Sequence, residues 1–141
     1  MSIFEQYFLL FTDTFISNLV INSSFQELVL NAMLIFATYN IDLVFTISCL
    51  AFGCANLVNY FFGVVLCNIL KIESKIFTKN INTCNAFILK YPKVCYFGLS
   101  ILAVIPFVGK FGMLFSGLVR MKLKYIIPLS MLLKLLTLFF V

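Results

Sequence analysis

A long run without a single charged side chain, residues 43–70, constrains this chain more than any other feature of its sequence. A helix needs about 20 predominantly apolar residues to cross the core of a bilayer, so this run is long enough to cross even when tilted. Of the 141 residues, 63% are hydrophobic and 11% are charged, against roughly half and a quarter in soluble domains. A core of this size cannot bury that much apolar surface. We therefore expect an all-α integral membrane protein whose single domain covers residues 1–141.

The basic residues indicate how the chain is oriented. All 10 Lys and Arg residues lie between positions 71 and 134, whereas the first 70 residues contain acids but no base. Because cytoplasmic loops are enriched in Lys and Arg, the lysine-rich segment 71–93 should face the cytoplasm. Apolar residues recur there every three to five positions, which predicts an amphipathic helix on the membrane surface, ending at Pro92. Bases scattered around apolar segments do not form a nucleic-acid-binding face, so no nucleic acid is expected as a partner.

Residues that commonly hold metals or perform catalysis are scarce. The chain has five cysteines but no His and no Cys-X-X-Cys pair, which excludes a zinc site of Cys and His and argues against a disulfide framework. We interpret the cysteines as small apolar residues in helices. No Ser–Lys pair or acidic cluster has catalytic spacing, and no general base stands out. We expect neither an enzyme, nor a metal site, nor a cofactor.

Segment 94–119 is apolar but contains Pro106, Gly109 and Lys110 at its centre. A single crossing would place Arg120 and the lysines after it on the side opposite to the preceding lysines, against the rule for basic residues. A hairpin that enters the membrane, turns near Pro106 and Gly109, and returns would keep both basic groups in the cytoplasm. Proline lacks a backbone donor and glycine accepts unusual dihedral angles, so both suit a turn. Such a re-entrant segment must be shielded by protein or line a cavity; a single kinked crossing is the alternative.

The first part of the chain follows a similar order. Residues 15–42 are apolar, carry no base, and are interrupted by a polar stretch that includes Ser23 and Ser24. We expect another re-entrant hairpin there, entering from the opposite side. The expected order is a hairpin at 15–42, a crossing helix at 43–70, the cytoplasmic helix at 71–93, a hairpin at 94–119 and a crossing helix at 125–141. This inverted repeat is typical of transporters whose site lies between the repeats. A shift of 83 positions places Ser23 on Pro106 and Glu27 on Lys110.

Three charged residues lie within apolar surroundings, namely Glu27, Lys110 and Lys134. A charge at the bilayer centre costs about 2.5–3.5 kcal/mol on insertion scales and usually faces a cavity or a partner, so we predict that these residues bind substrate or ions. Ser24 precedes Glu27 by three positions, the spacing of a capping box, which predicts the start of a helix at mid-membrane. The alternatives are that Lys110 extends to the cytoplasmic surface and that Lys134 serves helix packing.

Asn56 and Asn59 are further candidates for the same site. They are three positions apart, hence on one face of the crossing helix, with Gly53 and Gly63 near by. The alternative is that they form hydrogen bonds between closely packed helices.

Three segments, in this order, resemble the DedA superfamily, also called the VTT or SNARE-associated Golgi protein family, and within it the short YqaA-like bacterial members. They are SSFQELVL at 23–30, FGCANLVNYFFG at 52–63 and IPFVGKFGMLFSGLVRM at 105–121, followed by Lys134. By position, Glu27 matches the acid of the first motif and Gly117 the glycine of the second-hairpin motif. The chain departs from the family pattern at Gln26, Lys110 and Thr137, where the family motifs have serine, an acid and arginine.

The resemblance implies two opposed re-entrant hairpins, each followed by a crossing helix, in the inner membrane of a bacterium. It also implies a transporter that flips or scrambles lipids, such as undecaprenyl phosphate or phosphatidylethanolamine, in some members with dependence on the proton motive force. Membrane lipids are then the expected partners, and a second copy of the chain is a further candidate. The alternative is a non-transporting structural or assembly factor, in which the buried charges only pair helices.

Overall fold

A computed structural model describes residues 2–21, 27–36, 39–105 and 108–140. Within these ranges the chain forms seven helices and no strand. They are α1 (Ile3–Ser17), α2 (Leu28–Phe36), α3 (Ile41–Glu73), α4 (Lys75–Lys90), α5 (Pro92–Val104), α6 (Val108–Leu118) and α7 (Leu123–Phe139). The predicted all-α class is confirmed for the described part of the chain.

Helix α3 contains the charge-free run 43–70 and extends beyond it at both ends. Its 33 residues span about 50 Å at the usual rise of a helix, and it is long and apolar enough to cross a bilayer. Among the described helices, α3 alone meets that criterion, unless α4 and α5, which meet at a bend of 109°, are counted as one broken crossing. The multi-pass, re-entrant arrangement expected from the sequence goes beyond this finding and stays a prediction.

The remaining boundaries differ by a few residues from those expected. Lys71 still belongs to α3, and the amphipathic helix α4 starts only after Ser74, whose hydroxyl accepts from the Phe77 N–H at 3.2 Å. Pro92 begins α5 directly after α4 has ended, because the first residue of a helix needs no N–H. Helices α5 and α6 occupy the segment expected at 94–119, and α7 most of that expected at 125–141.

Helix α1 starts well before the hairpin expected at 15–42. Ser2 caps it, since the Ser2 hydroxyl accepts from the Glu5 N–H at 3.2 Å and the Glu5 carboxylate accepts from the Ser2 N–H at 2.9 Å. Helices α1 and α2 pack against each other. The expected turn residues between them, Ser23 and Ser24, lie outside the described residues.

Helix α1 runs in the same direction as α3. Near the starts of the two helices, the ring centroids of Tyr7 and Tyr39 lie 6.3 Å apart. Just beyond the end of α1, the Asn18 carbonyl accepts a hydrogen bond from Asn59 Nδ2 at 2.8 Å. Asn18 and Val20, which follow α1, therefore lie beside Asn59, close to the midpoint of α3.

Helices α5 and α6 form another packed pair, with a tight corner between them. The Gly109 N–H donates to the Ile105 carbonyl at 2.8 Å. A Cβ atom at Gly109 would overlap the carbonyl oxygen of Ala103, so only glycine fits this approach. Gly109 therefore lies in the first turn of α6, beside this corner, while Pro106 lies outside the described residues.

Helix α7 starts beside the start of α5 and runs antiparallel to α3. The Tyr96 hydroxyl of α5 accepts from the Lys122 N–H at 3.0 Å, just before α7 begins. At the other end of α7, the ring of Phe139 lies 5.5 Å from that of Phe45, near the start of α3. Helices α1 and α3 are therefore parallel, α5 and α7 are parallel, and the second pair runs opposite to the first.

Helices α3 and α6 cross closely at two glycines. A Cβ atom at Gly63 would overlap the carbonyl oxygen of Leu114, and one at Gly117 would overlap that of Tyr60. Contacts between small residues of this kind let membrane helices approach at backbone distance. Gly117, expected from the sequence as a structural residue of the second hairpin, lies at this helix crossing.

The Asp13 carboxylate caps helix α2 from α1. Asp13 Oδ2 accepts from the N–H of Val29, the second residue of α2, at 3.0 Å, and this N–H has no partner within its own helix. Asp13→Ala is expected to lower the free energy of unfolding by about 1 kcal/mol, and Asp13→Asn by less, because an amide oxygen still accepts. Thermal unfolding of the detergent-solubilised protein measures the loss. Glu73→Ala, at the exposed end of α3, is the control; an equal loss in the control would contradict the capping role.

Candidate functional site

Glu27 and Lys134 form a partly buried ion pair. Glu27 directly precedes α2, and its carbonyl accepts the first hydrogen bond of that helix, from the Asn31 N–H at 3.1 Å. Its carboxylate contacts α7, where Lys134 Nζ lies 3.1 Å from both Oε1 and Oε2. The two side chains are 13% and 14% exposed. The pair therefore joins the link between α1 and α2 to the last helix.

Asn18 donates to the Glu27 carboxylate, and Asn59 in turn donates to the Asn18 carbonyl. Asn18, the C-terminal cap of α1, donates through Nδ2 to Glu27 Oε1 and to the Thr14 carbonyl, both at 2.7 Å. Asn59 of α3 donates to the Asn18 carbonyl at 2.8 Å and accepts from the Val20 N–H at 2.8 Å. Asn59, which is fully buried, thus fixes the end of the first helical pair to the middle of α3.

The Lys134 ammonium also faces α3. Its Nζ lies 5.3 Å from the ring centroid of Phe52, within the range of a cation–π interaction. Asn56 Nδ2 donates to the Ser130 hydroxyl at 3.4 Å, one helical turn away from Lys134 on α7. Phe52, Asn56 and Asn59 lie on one face of α3 by their spacing. A row of polar contacts therefore runs between α3 and α7 through otherwise apolar packing.

Two buried hydroxyl groups add polar atoms to this region. Within the described ranges, the side-chain oxygens of Thr14 and Ser48 have no hydrogen-bond partner, and both residues are fully buried. Thr14 lies one turn before Asn18, and Ser48 one turn before Phe52. Buried hydroxyls are usually hydrogen-bonded, so these two leave capacity for a polar group. No three His, Cys, Asp or Glu side chains of the described residues are placed to hold a metal ion.

Comparison with known proteins gives one relative of similar length. The uncharacterized protein RP436 of Rickettsia prowazekii (strain Madrid E) is 36% identical over 127 residues, and the alignment covers 86% of this chain and 84% of that protein. The chain belongs to the family of this rickettsial protein. No model of a known protein family matches the chain, and no solved structure matches it.

In this member of the rickettsial family, the structure brings together some of the candidate residues that the sequence predicted. Glu27, Lys134 and Asn59 belong to one connected set of polar contacts. Asn56 lies on α3 one turn before Asn59. Lys110, which the repeat comparison set opposite Glu27, is 7% exposed in the first turn of α6. The ion pair that Glu27 makes in the structure is with Lys134 instead.

The predicted capping box at the start of α2 differs from what the structure shows. The helix begins at Leu28, so Glu27 precedes the first turn instead of lying within it. The Glu27 carboxylate contacts Lys134, and the helix N–H that a side chain caps is that of Val29, which donates to Asp13. Ser24, the expected cap, lies outside the described residues.

Asn18 and Phe52 are site residues that sequence reasoning did not select. Asn18 follows the apolar run of α1, and asparagine in such a place is a signal for a helix C-terminal cap. That signal explains the backbone contact of Asn18 with Thr14 but not its contact with Glu27. Phe52 has no distinguishing signal, because an aromatic residue in an apolar helix is ordinary.

Proposed function

We propose that this protein is a multi-pass membrane transporter of the DedA type that moves or scrambles lipids across the inner membrane of a bacterium. The observation that carries the proposal is the partly buried ion pair of Glu27 and Lys134. It lies at the end of a helical pair, beside the midpoint of a helix that is long enough to cross a bilayer. Charged residues at such a depth are costly, and they commonly mark a path for ions or polar groups.

The outer surface of the helices supports the membrane location. Helix α3 exposes large apolar side chains along its length, among them Leu50, Phe61, Val65 and Ile69. Soluble monomers rarely expose apolar patches of more than a few hundred Å², whereas lipid contact accounts for such a surface. Helix α4, bent by 109° from α5 and carrying exposed apolar and basic residues, suits the membrane interface.

The directions of the helices support two opposed re-entrant hairpins. The residue that caps the end of α1, Asn18, lies beside the middle of α3, which is where the end of a re-entrant helix would lie. Helices α1 and α3 run parallel, α5 and α7 run parallel, and the two pairs run in opposite directions, which is the arrangement that an inverted repeat would have. Inverted repeats of this kind place a transport site near mid-membrane, at their interface.

Within this proposal, the ion pair between Glu27 and Lys134 opens during transport, and a polar group of the lipid takes the place of Glu27 beside Lys134. Glu27 neutralises Lys134, so the phosphate of a lipid headgroup binds Lys134 only after this ion pair has opened. The Asn18 N–H that donates to Glu27 becomes available in the same step. The Thr14 hydroxyl, which is otherwise without a partner among the described residues, supplies a further donor.

Movement of a labelled lipid tests the proposal. Vesicles containing phosphatidylethanolamine with a fluorescent NBD headgroup are reconstituted with the protein and treated with dithionite, which bleaches only the outer leaflet. The wild-type protein is expected to allow bleaching of nearly all label, whereas protein-free vesicles retain the inner leaflet. In the double variant Glu27→Gln with Lys134→Gln, bleaching is expected to fall to the level of protein-free vesicles. This variant lacks both charges of the ion pair, so neither charge is left without its partner.

The matched control removes one acid and one base from the exposed surface, Glu73→Gln with Lys79→Gln, and should behave as wild type. Full lipid movement in the Glu27 and Lys134 double variant would overturn the assignment of these residues. A wild-type protein that bleaches no more label than protein-free vesicles would overturn the transport function itself.

A second candidate function is that of a structural or assembly factor. It is favoured by the way the Glu27 carboxylate is satisfied internally, since its oxygens accept from Lys134 and Asn18. Under this alternative the wild-type protein moves no labelled lipid. An exchange of the two charges, Glu27→Lys with Lys134→Glu, would then leave the abundance of the protein unchanged.

A further inference from the structure

The turn between α6 and α7 places an arginine where glycine is usual. Arg120 has a φ angle of 55°, in the left-handed region that L side chains rarely adopt. Its N–H donates to the Gly117 carbonyl at 3.1 Å, and the Met121 N–H donates to the Ser116 carbonyl at 3.0 Å. This is the hydrogen-bond pattern of a Schellman motif, in which glycine ordinarily occupies the left-handed position. The backbone conformation alone therefore does not explain an arginine at position 120.

Two tyrosines from other helices hold the same turn. The Tyr60 hydroxyl of α3 donates to the Met121 carbonyl at 2.6 Å, and the Tyr96 hydroxyl of α5 accepts from the Lys122 N–H at 3.0 Å. The backbone on both sides of the bond between Met121 and Lys122 is thus fixed from two directions. A charged turn held in this way presents its side chains at defined positions.

The side chains that the turn presents are basic and exposed. Arg120, Lys122 and Lys124 are all exposed. The Arg120 guanidinium donates from Nη2 to Asn68 Oδ1, which directs it along the end of α3 and occupies one of its five N–H donors. Lys71 lies one turn beyond Asn68 on α3, so a further basic residue lies at the same end of this helix.

Two exposed aromatic residues lie close to these bases in the sequence. Phe115, on the last part of α6, is 41% exposed, and Tyr125, next to Lys124, is 53% exposed. Exposed aromatic rings beside the bases would not contribute to the binding of a soluble anion. A lipid offers both groups at once, since its phosphate suits the arginine and its acyl chains suit the rings.

We propose that Arg120, Lys122 and Lys124 bind the phosphate of an anionic lipid headgroup at the membrane surface. The guanidinium binds the phosphate oxygens through its remaining N–H donors, and the lysines add charge. The inference rests on the membrane location proposed above but not on transport, because a headgroup bound at the surface does not have to cross the membrane.

Native mass spectrometry of the full-length protein in a neutral detergent tests this site. The protein is titrated with phosphatidylglycerol, with phosphatidylcholine, and with inorganic phosphate as competitor. Phosphatidylglycerol is expected to bind more tightly than phosphatidylcholine, with an affinity that falls as salt rises. Arg120→Gly is expected to weaken binding on the order of fivefold, and the triple variant Arg120→Gln, Lys122→Gln, Lys124→Gln on the order of a hundredfold.

Arg120→Gly separates the binding role from a structural one. Glycine fits the left-handed position, so the variant should unfold at the same temperature as wild type or higher while it loses lipid. The control triple variant Lys75→Gln, Lys79→Gln, Lys90→Gln removes the same charge from α4 and should weaken binding less. Each of three results would overturn the proposal. They are equal weakening of binding by the two triple variants, equal binding of the two lipids, and displacement of phosphatidylglycerol by millimolar phosphate. Loss of lipid movement without loss of phosphatidylglycerol binding would leave this site standing and contradict only the transport assignment.

Discussion

Lys134→Met is expected to lower the free energy of unfolding by about 3 kcal/mol, the lower end for breaking a buried ion pair, because both side chains keep some exposure. The change leaves the partly buried Glu27 carboxylate with only Asn18 as a side-chain donor among its described contacts. Methionine has a similar length to lysine, so the loss reflects the missing charge and not a cavity. Unfolding of the protein in mixed detergent micelles, followed by helical circular dichroism, measures the effect.

The double variant Glu27→Gln with Lys134→Met should recover most of that loss, because no charge then remains without a partner. Lys79→Met, at an exposed position of α4, removes the same charge and should change the stability by less than about 0.5 kcal/mol. Equal losses in the Lys134→Met variant and the double variant would show that lost packing, and not an unpaired charge, causes the effect. They would thereby contradict the role of the pair.

Gly63→Ala is expected to lower the free energy of unfolding by about 3 kcal/mol, the upper end for overpacking in a rigid core. The new methyl group would overlap a backbone oxygen of Leu114, and backbone cannot move aside as a flexible side chain does. Helices α3 and α6 would have to separate. Gly117→Ala should have a similar effect, and the two changes together should cost less than their sum, because both act on one crossing.

Gly98→Ala provides the matched control. A Cβ atom at Gly98 meets no atom within 4 Å, and the residue lies inside α5. Alanine is the better helix former, so this variant should be unchanged or more stable by about 0.5–1 kcal/mol. The midpoint of thermal unfolding in detergent compares the variants. A Gly63→Ala protein as stable as the Gly98→Ala protein would show that α3 and α6 do not cross at this distance.

The helices could be predicted from the sequence where their signals are local. The absence of charge over 43–70 predicts α3, and the alternation of lysines with apolar residues predicts α4. The ends are less well determined, because a helix can continue past its apolar part, as α3 does through Lys71. Proline illustrates the same limit: Pro92 was expected to end a helix, and it also begins the next one.

The partners within the site could not be predicted, because they are distant in the sequence. The cap of α2 comes from Asp13, 16 residues before Val29, whereas a capping box is recognised only by its local spacing. The comparison of the two halves selected Lys110 as the counterpart of Glu27. Lys134, 107 residues from Glu27, is its partner because α7 runs antiparallel to α3 and passes Phe52. Sequence spacing identified the buried charges but not which of them meet.

Site-directed labelling tests the central claim most directly, namely that α5 and α6 form a hairpin that enters and leaves the membrane on one side. Single cysteines at Lys93→Cys and Lys122→Cys, both exposed positions, are placed in a variant without the native cysteines. They are then treated with a membrane-impermeant maleimide in intact cells and in inverted vesicles. The account predicts that both are labelled only in inverted vesicles, where the cytoplasmic side faces outwards. Labelling of one in intact cells and of the other in inverted vesicles would contradict it.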